Sequence, residues 1–101
     1  GEATAVIIKF NIIVIVTINK LVYCPTFREH TAQVVHQLLR VLAILVKEEE
    51  KVIGAIIHSF ITIAEELTSD FAPYISLIQK ALRRNRLEEV SKAFEVEVLS
   101  I

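Results

Sequence analysis

Residues 51–82, KVIGAIIHSFITIAEELTSDFAPYISLIQKAL, decide the fold of this chain. Apolar residues recur every three or four positions on each side of a short polar break, which predicts two helices joined by a tight turn. The break, Thr68-Ser69-Asp70, offers side chains suited to capping the next helix. Pro73 fits the first turn of that helix, where its missing backbone N–H does no harm. The predicted buried faces comprise Ile53, Ile56, Ile57, Phe60, Ile63, Ala64 and Leu67 in the first helix and Phe71, Tyr74, Ile75, Ile78, Ala81 and Leu82 in the second.

The sequence before this stretch predicts another helix. Thr26 and Glu29 fit a capping box directly after Pro25, and helical spacing then continues to about Lys47. The charged segment Lys47–Lys51 is predicted to be a solvated turn. The predicted apolar face of this helix consists of Val35, Leu38, Leu39, Leu42, Leu45 and Val46, and its polar face of Gln33, His36, Gln37, Arg40 and Lys47.

The C-terminal residues predict a last helix with one alternative. Asn85 and Glu88 give a second capping signal, and apolar residues recur at helical spacing from Leu87 to Ile101. Residues 94–98 also alternate strictly between apolar and acidic side chains, so a terminal strand remains an alternative there.

The N-terminal stretch, residues 5–23 (AVIIKFNIIVIVTINKLVY), is rich in β-branched residues. Such residues favour strands, so an edge strand is one interpretation and an apolar helix pressed on the rest of the chain is another. A membrane anchor or uncleaved signal is a third, although Lys9 and Lys20 interrupt the apolar run. The composition changes abruptly at Pro25, which also allows a segment foreign to the domain.

Composition restricts the class of protein. The 101 residues suffice for one domain, and 53% of them are hydrophobic, with a mean hydropathy of +0.55. This is more apolar surface than a small domain usually hides, so we expect neighbouring repeats, a membrane or self-association to cover some of it. The net charge of -1 does not favour nucleic acid or an acidic partner. The single cysteine, Cys24, excludes a disulfide within the sequence.

Motifs for catalysis are not found. The sequence has no glycine-rich phosphate loop and no nucleophile elbow. His30, His36 and His58 have no second metal-binding residue one helical turn further on. We therefore expect no enzyme activity, no cofactor and no metal site.

A basic cluster, Lys80, Arg83, Arg84 and Arg86, is the candidate contact site for a partner. These cations also suit the C-terminal end of a helix, where the helix dipole favours positive charge. The cluster could contact phosphate or an acidic protein surface. No aromatic residues are interleaved with it and the chain is slightly acidic, which argues against nucleic acid.

Tightly joined helix pairs at a spacing of about 40 residues resemble HEAT and armadillo repeats. Residues 66–75, ELTSDFAPYI, resemble the step between the helices of a HEAT repeat. Residues 77–87, LIQKALRRNRL, and 34–42, VVHQLLRVL, are similar to a segment in the HEAT solenoid of the target-of-rapamycin (TOR) kinases. The resemblance covers residues 28–90. It implies a scaffold piece of a very large serine/threonine kinase that signals nutrient status, and it transfers no catalytic residue.

We therefore expect an all-α fold of HEAT-like antiparallel helix pairs, an α-solenoid fragment. Residues 1–25 form an apolar segment of uncertain role, and residues 26–101 form the helical module. The expected function is a non-catalytic, cytoplasmic scaffold that binds adjacent repeats or partner proteins, with a size in solution that depends on concentration. The alternative is a small membrane-anchored protein with residues 5–23 as its anchor.

Overall fold

Phe71 closes the turn between the two helices that decide the fold, and in the computed structural model it is 1% exposed. The structure describes residues 13, 15–45 and 50–101. This part of the chain contains a helical segment at residues 15–21 and four further α-helices: α1 (Thr31–Leu45), α2 (Glu50–Leu67), α3 (Ala72–Arg84) and α4 (Glu88–Leu99).

No β-strand occurs in these described ranges, so the all-α prediction is confirmed for them. The strand alternative for residues 94–98 is wrong, because they lie within α4. Helical spacing brings Phe94 and Val98 onto one buried face, whereas Val96 between them is 69% exposed.

The strand alternative for the N-terminal stretch is wrong over residues 15–21, which are helical. Residues 5–12 and 14 lie outside the described part of the chain. Ile15 and Val22, two helical turns apart, are 3% and 2% exposed and join the same core as the four helices. The helical interpretation of this stretch is therefore confirmed where the structure describes it.

The core is shared by all four helices. α1 and α4 each pack against both α2 and α3. The radius of gyration is 13.2 Å, close to the value of about 13 Å for a compact domain of 100 residues. The α-solenoid character stays a prediction. α2 supplies more of the core than any other helix, through Ile53, Ile56, Phe60, Ile61, Ile63, Ala64 and Leu67.

α1 begins later than the sequence predicts. Residues Pro25–His30 form a 3-10 turn in which no side chain caps the helix, so the capping box at Thr26 is wrong. The turn brings Phe27 into the core at 6% exposure. The α-helix starts at Thr31, whose buried hydroxyl donates to the carbonyl oxygens of Phe27 and Arg28. Residues 46–49 are outside the described ranges, as is most of the predicted turn at Lys47–Lys51.

The connection from α2 to α3 is a second 3-10 turn, Thr68–Phe71, and no side chain of the turn caps α3. Thr68 has φ 52° and so takes up a left-handed conformation. Asp70 instead accepts a hydrogen bond of 2.7 Å from Arg28 Nη1, and Arg28 Nη2 donates to the Glu66 carbonyl at 3.2 Å. The predicted caps at residues 68–70 are therefore wrong, while Pro73 does lie in the first turn of α3.

Asn85 ends α3 and does not cap α4. Its Nδ2 donates to the Ala81 carbonyl at 2.8 Å, one turn back along α3. α4 begins after Leu87 without a side-chain cap, so the predicted pairing of Asn85 with Glu88 is wrong. What fixes α4 is the packing of Phe94, which lies edge-on to Phe60 of α2 at 6.4 Å between ring centroids.

Replacing Phe94 with alanine tests this packing. Because Phe94 is 0% exposed, Phe94→Ala should lower the free energy of unfolding by about 3–5 kcal/mol. Val96→Ala on the exposed side of the same helix should change it by less than about 0.5 kcal/mol. Urea unfolding followed by circular dichroism measures both. A loss below about 1 kcal/mol for Phe94→Ala would show that α4 does not pack as described.

Candidate partner-binding groove

A groove between α1 and α3 gathers cationic side chains from both helices. Arg40 comes from α1, and Lys80 and Arg84 come from α3; His36 of α1 also lines the groove. We call it the α1–α3 groove; its volume is about 300 Å³. Its remaining lining residues are Leu39, Ala43, Leu77, Ala81 and Asn85.

Helical spacing explains why these residues share one surface. His36 and Arg40 are four residues apart, as are Lys80 and Arg84, so each pair lies on one face of its helix. The opposite faces are fixed by the core: Leu38 and Leu42 of α1 and Ile78 and Leu82 of α3 are at most 1% exposed. Core packing therefore determines how each helix is rotated about its own axis, and this rotation determines which surface the cationic side chains occupy.

The floor of the groove is apolar. Leu39, Leu77 and Ala81 are half-buried there, and Ala43 is exposed. Arg40, Lys80 and Arg84 are exposed around this floor. Long cationic side chains keep their charged ends in water while their stems cover apolar surface. The groove can therefore accept an apolar side chain below and carboxylates or phosphates at its edges.

No described side chain neutralises these cations. α1 and α3 contain no aspartate or glutamate. Within the described ranges the structure has one salt bridge, Arg28–Asp70 at 2.7 Å, which lies at the turn before α3. The α1–α3 groove is thus a positively charged surface on a chain whose net charge is -1.

The structure divides the basic cluster predicted from the sequence. Lys80 and Arg84 line the groove, whereas Arg83 and Arg86 are exposed outside its lining. Arg83 follows Lys80 by three residues but lies on the other side of it from Ala81 and Arg84 around the helix.

Arg86 has a structural place at the end of α3. Its φ is 61°, and its N–H donates to the Arg83 carbonyl at 3.0 Å while the Leu87 N–H donates to Leu82 at 2.8 Å. This pair of hydrogen bonds is a Schellman motif, whose left-handed position is usually occupied by glycine. The Schellman motif at the end of α3 therefore determines the backbone position of Arg86, and Arg86 lies outside the groove.

Sequence reasoning missed His36 and Arg40 as site residues. It placed both on the polar face of α1, four residues apart, but did not indicate which helix they would face. That information comes from the packing of α1 against α3.

The other polar side chains that the structure describes form no second site of this kind. Among the described residues, no three His, Cys, Asp or Glu side chains are grouped so as to hold a metal ion. Cys24 is an exposed thiol beside a shallow groove lined by Ile18, Leu21, Phe27 and other residues. His30 Nδ1 lies 3.3 Å from Gln33 Oε1, within hydrogen-bonding distance.

Searches for similar proteins among family models, curated proteins and solved structures found no match to this chain. The HEAT and TOR resemblance therefore stays a prediction based on the quoted residues. In the part of the chain that the structure describes, none of the helices has both the length and the apolar character needed to cross a membrane.

Two substitutions of Arg86 test its structural role. Arg86→Gly and Arg86→Ala remove the same charge, but only glycine adopts φ near 61° without strain. We expect the glycine variant to be more stable to unfolding than the alanine variant by about 1 kcal/mol. Thermal unfolding of the two proteins side by side measures the difference, and equal stability would contradict the left-handed conformation.

Proposed function

We propose that this chain is a non-catalytic helical module that binds proteins, and that its α1–α3 groove binds an acidic amphipathic helix of the partner. The observation that carries the proposal is the arrangement of Arg40, Lys80 and Arg84 around an apolar floor. Neither feature alone selects a helix, but together they match one that carries leucine-like residues on one face and carboxylates beside them.

The dimensions of the groove favour a helix face over a small molecule. Its volume of about 300 Å³ is at the lower limit of pockets that enclose small ligands, which is about 300 Å³. The charged residues at its edges are exposed. A shallow apolar groove with polar edges is the usual receptor for an amphipathic helix, which inserts residues spaced three or four apart.

The expected affinity depends on both parts of the groove. Exposed ion pairs contribute up to about 1 kcal/mol each and are screened by salt. Apolar contacts with Leu39 and Leu77 would supply the part of the binding free energy that salt does not weaken. Binding should therefore be moderate in strength, fall as salt increases and persist in part at high salt.

We place this module in a scaffold of HEAT type, on the basis of the resemblance of residues 28–90 to the TOR solenoid. On the same basis we propose a cytoplasmic location and a role in nutrient or growth signalling. On this proposal the partner is another protein or a neighbouring repeat, since each repeat of a solenoid contacts its neighbours and the array offers a binding surface.

Charge reversal in the groove tests the proposed binding. Arg40→Glu/Arg84→Glu should abolish binding of a synthetic helical peptide with leucines at positions i and i+4 flanked by glutamates. Arg83→Glu/Arg86→Glu makes the same change in net charge outside the groove and should leave binding nearly unchanged. Fluorescence anisotropy of the labelled peptide measures both, and circular dichroism checks that each variant folds.

Equal loss of affinity in the two double variants would show that net charge, and not the groove, determines binding. A peptide in which lysine replaces each glutamate should not bind the wild-type chain. Tight binding of that peptide would also contradict the proposal.

A second candidate function, membrane association, is favoured by one observation. Exposed apolar side chains are concentrated in the N-terminal helical segment, where Ile13 is 64%, Val16 47%, Leu21 48% and Tyr23 66% exposed. Since Ile15 and Val22 on the same segment are buried in the core, the segment would lie on a membrane surface while it remains attached to the domain.

Substitution of the exposed positions tests this candidate in the full chain. If the segment attaches the protein to membranes, the wild type should sediment with lipid vesicles at neutral pH. Ile13→Ser/Leu21→Gln/Tyr23→Ser should stay in the supernatant, because it removes the exposed apolar side chains and leaves the core residues unchanged. Val96→Gln/Leu99→Gln on α4 is the matched control and should sediment with the vesicles. Failure of the wild type to sediment with vesicles would exclude this function, and a sample without vesicles separates membrane binding from aggregation.

A further inference from the structure

The exposed face of α4 is rich in carboxylates, which α1 and α3 lack. α4 carries four glutamates, Glu88, Glu89, Glu95 and Glu97, and one lysine, Lys92, all of them exposed. α1 and α3 carry cations and no carboxylate. One chain therefore presents a basic surface and an acidic surface on different helices.

The same face of α4 also presents apolar side chains. Val96 is 69% and Leu99 78% exposed. Glu95 precedes Leu99 by four residues, so a carboxylate and a large apolar side chain lie next to each other on the helix surface. The groove has a complementary arrangement, because the cations Arg40 and Arg84 line it together with the apolar side chains of Leu39 and Leu77.

A chain cannot place its own α4 in its own groove. α4 is held against α2 and α3 by Ser91, Phe94 and Val98, which are at most 9% exposed. The groove lies between α3 and α1. The acidic face of α4 is therefore available only to another molecule.

We propose that α4 of a second copy of this chain is the acidic helix that the α1–α3 groove binds, so that copies associate head to tail. This inference rests on the proposed function of the groove. Glu89 and Glu95 pair with Arg40, Lys80 and Arg84 of the next copy, and Val96 and Leu99 contact its apolar floor. Because the two surfaces are different patches, a dimer leaves one groove and one acidic face of α4 unused, and association continues beyond the dimer.

Reciprocal charge reversal tests the interface in the full chain. The groove variant is Arg40→Glu/Arg84→Glu, and the helix variant is Glu89→Lys/Glu95→Lys. Each variant alone opposes like charges across the interface, so self-association should weaken at least about tenfold. An equimolar mixture restores both contacts, since the basic helix of one variant meets the acidic groove of the other and the unchanged surfaces meet each other.

Sedimentation velocity at protein concentrations up to about 1 mM measures the association constants. Glu65→Lys/Glu66→Lys on the exposed side of α2 is the control for net charge and should associate like the wild type. Circular dichroism confirms that all variants fold.

A wild-type chain that stays monomeric at every concentration would overturn the inference. So would association that neither double variant weakens, or a mixture that stays as dissociated as its components. The two proposals fail separately: if the acidic peptide binds the groove while the chain stays monomeric, only the head-to-tail contact is wrong. If the peptide does not bind either, the proposed function of the groove is also wrong.

Discussion

The burial of α2 is the constraint on which the rest of this structure depends. Ile53, Ile56, Phe60 and Ile63 are at most 5% exposed, and Ile61 and Ala64 are buried as well. These residues do not fit on a single narrow stripe, so one neighbouring helix cannot cover them. α1 and α4 therefore pack on α2 from separate sides, and the turn at Phe71 closes its C-terminal end. Even the buried hydroxyl of Ser59 is satisfied within α2, by donating to the Ala55 carbonyl at 3.1 Å.

This packing also determines where charge appears on the surface. Each of α1, α3 and α4 has a buried face toward the core and sends its charged residues outward. Since the carboxylates are absent from α1 and α3 but frequent on α4, the folded chain carries opposite charges on different helices while its net charge stays at -1. The net charge does not show this separation, because it adds up positive and negative charges that lie on different helices of the folded chain. The proposed groove and the proposed contact of α4 both follow from that separation.

The helix ends of this chain are set mainly by the backbone and by core packing. Thr68 and Arg86 have φ of 52° and 61°, and each lies at the end of a helix. Residues other than glycine adopt such angles uncommonly. The chain buries Phe71 three residues after Thr68, and after Arg86 it begins α4, whose Phe94 packs on Phe60. Capping residues in the sequence were therefore poor guides to the helix boundaries.

The sequence by itself predicted the all-α class, the positions of α1 to α3 to within a few residues and most of the buried positions, and it left a strand open for residues 5–23 and 94–98. Apolar spacing is a local property, and the requirement to bury Leu38, Phe60 or Ile78 is the same whichever helices provide the cover. The sequence also indicated that Lys80 and Arg84 form part of a partner-contact surface, a role that stays a prediction. Only the tertiary structure decided that Arg40 and His36 join them and that Arg83 and Arg86 do not. Which faces meet across two helices depends on how the whole core packs, and no spacing within one helix encodes the rotation of its neighbour.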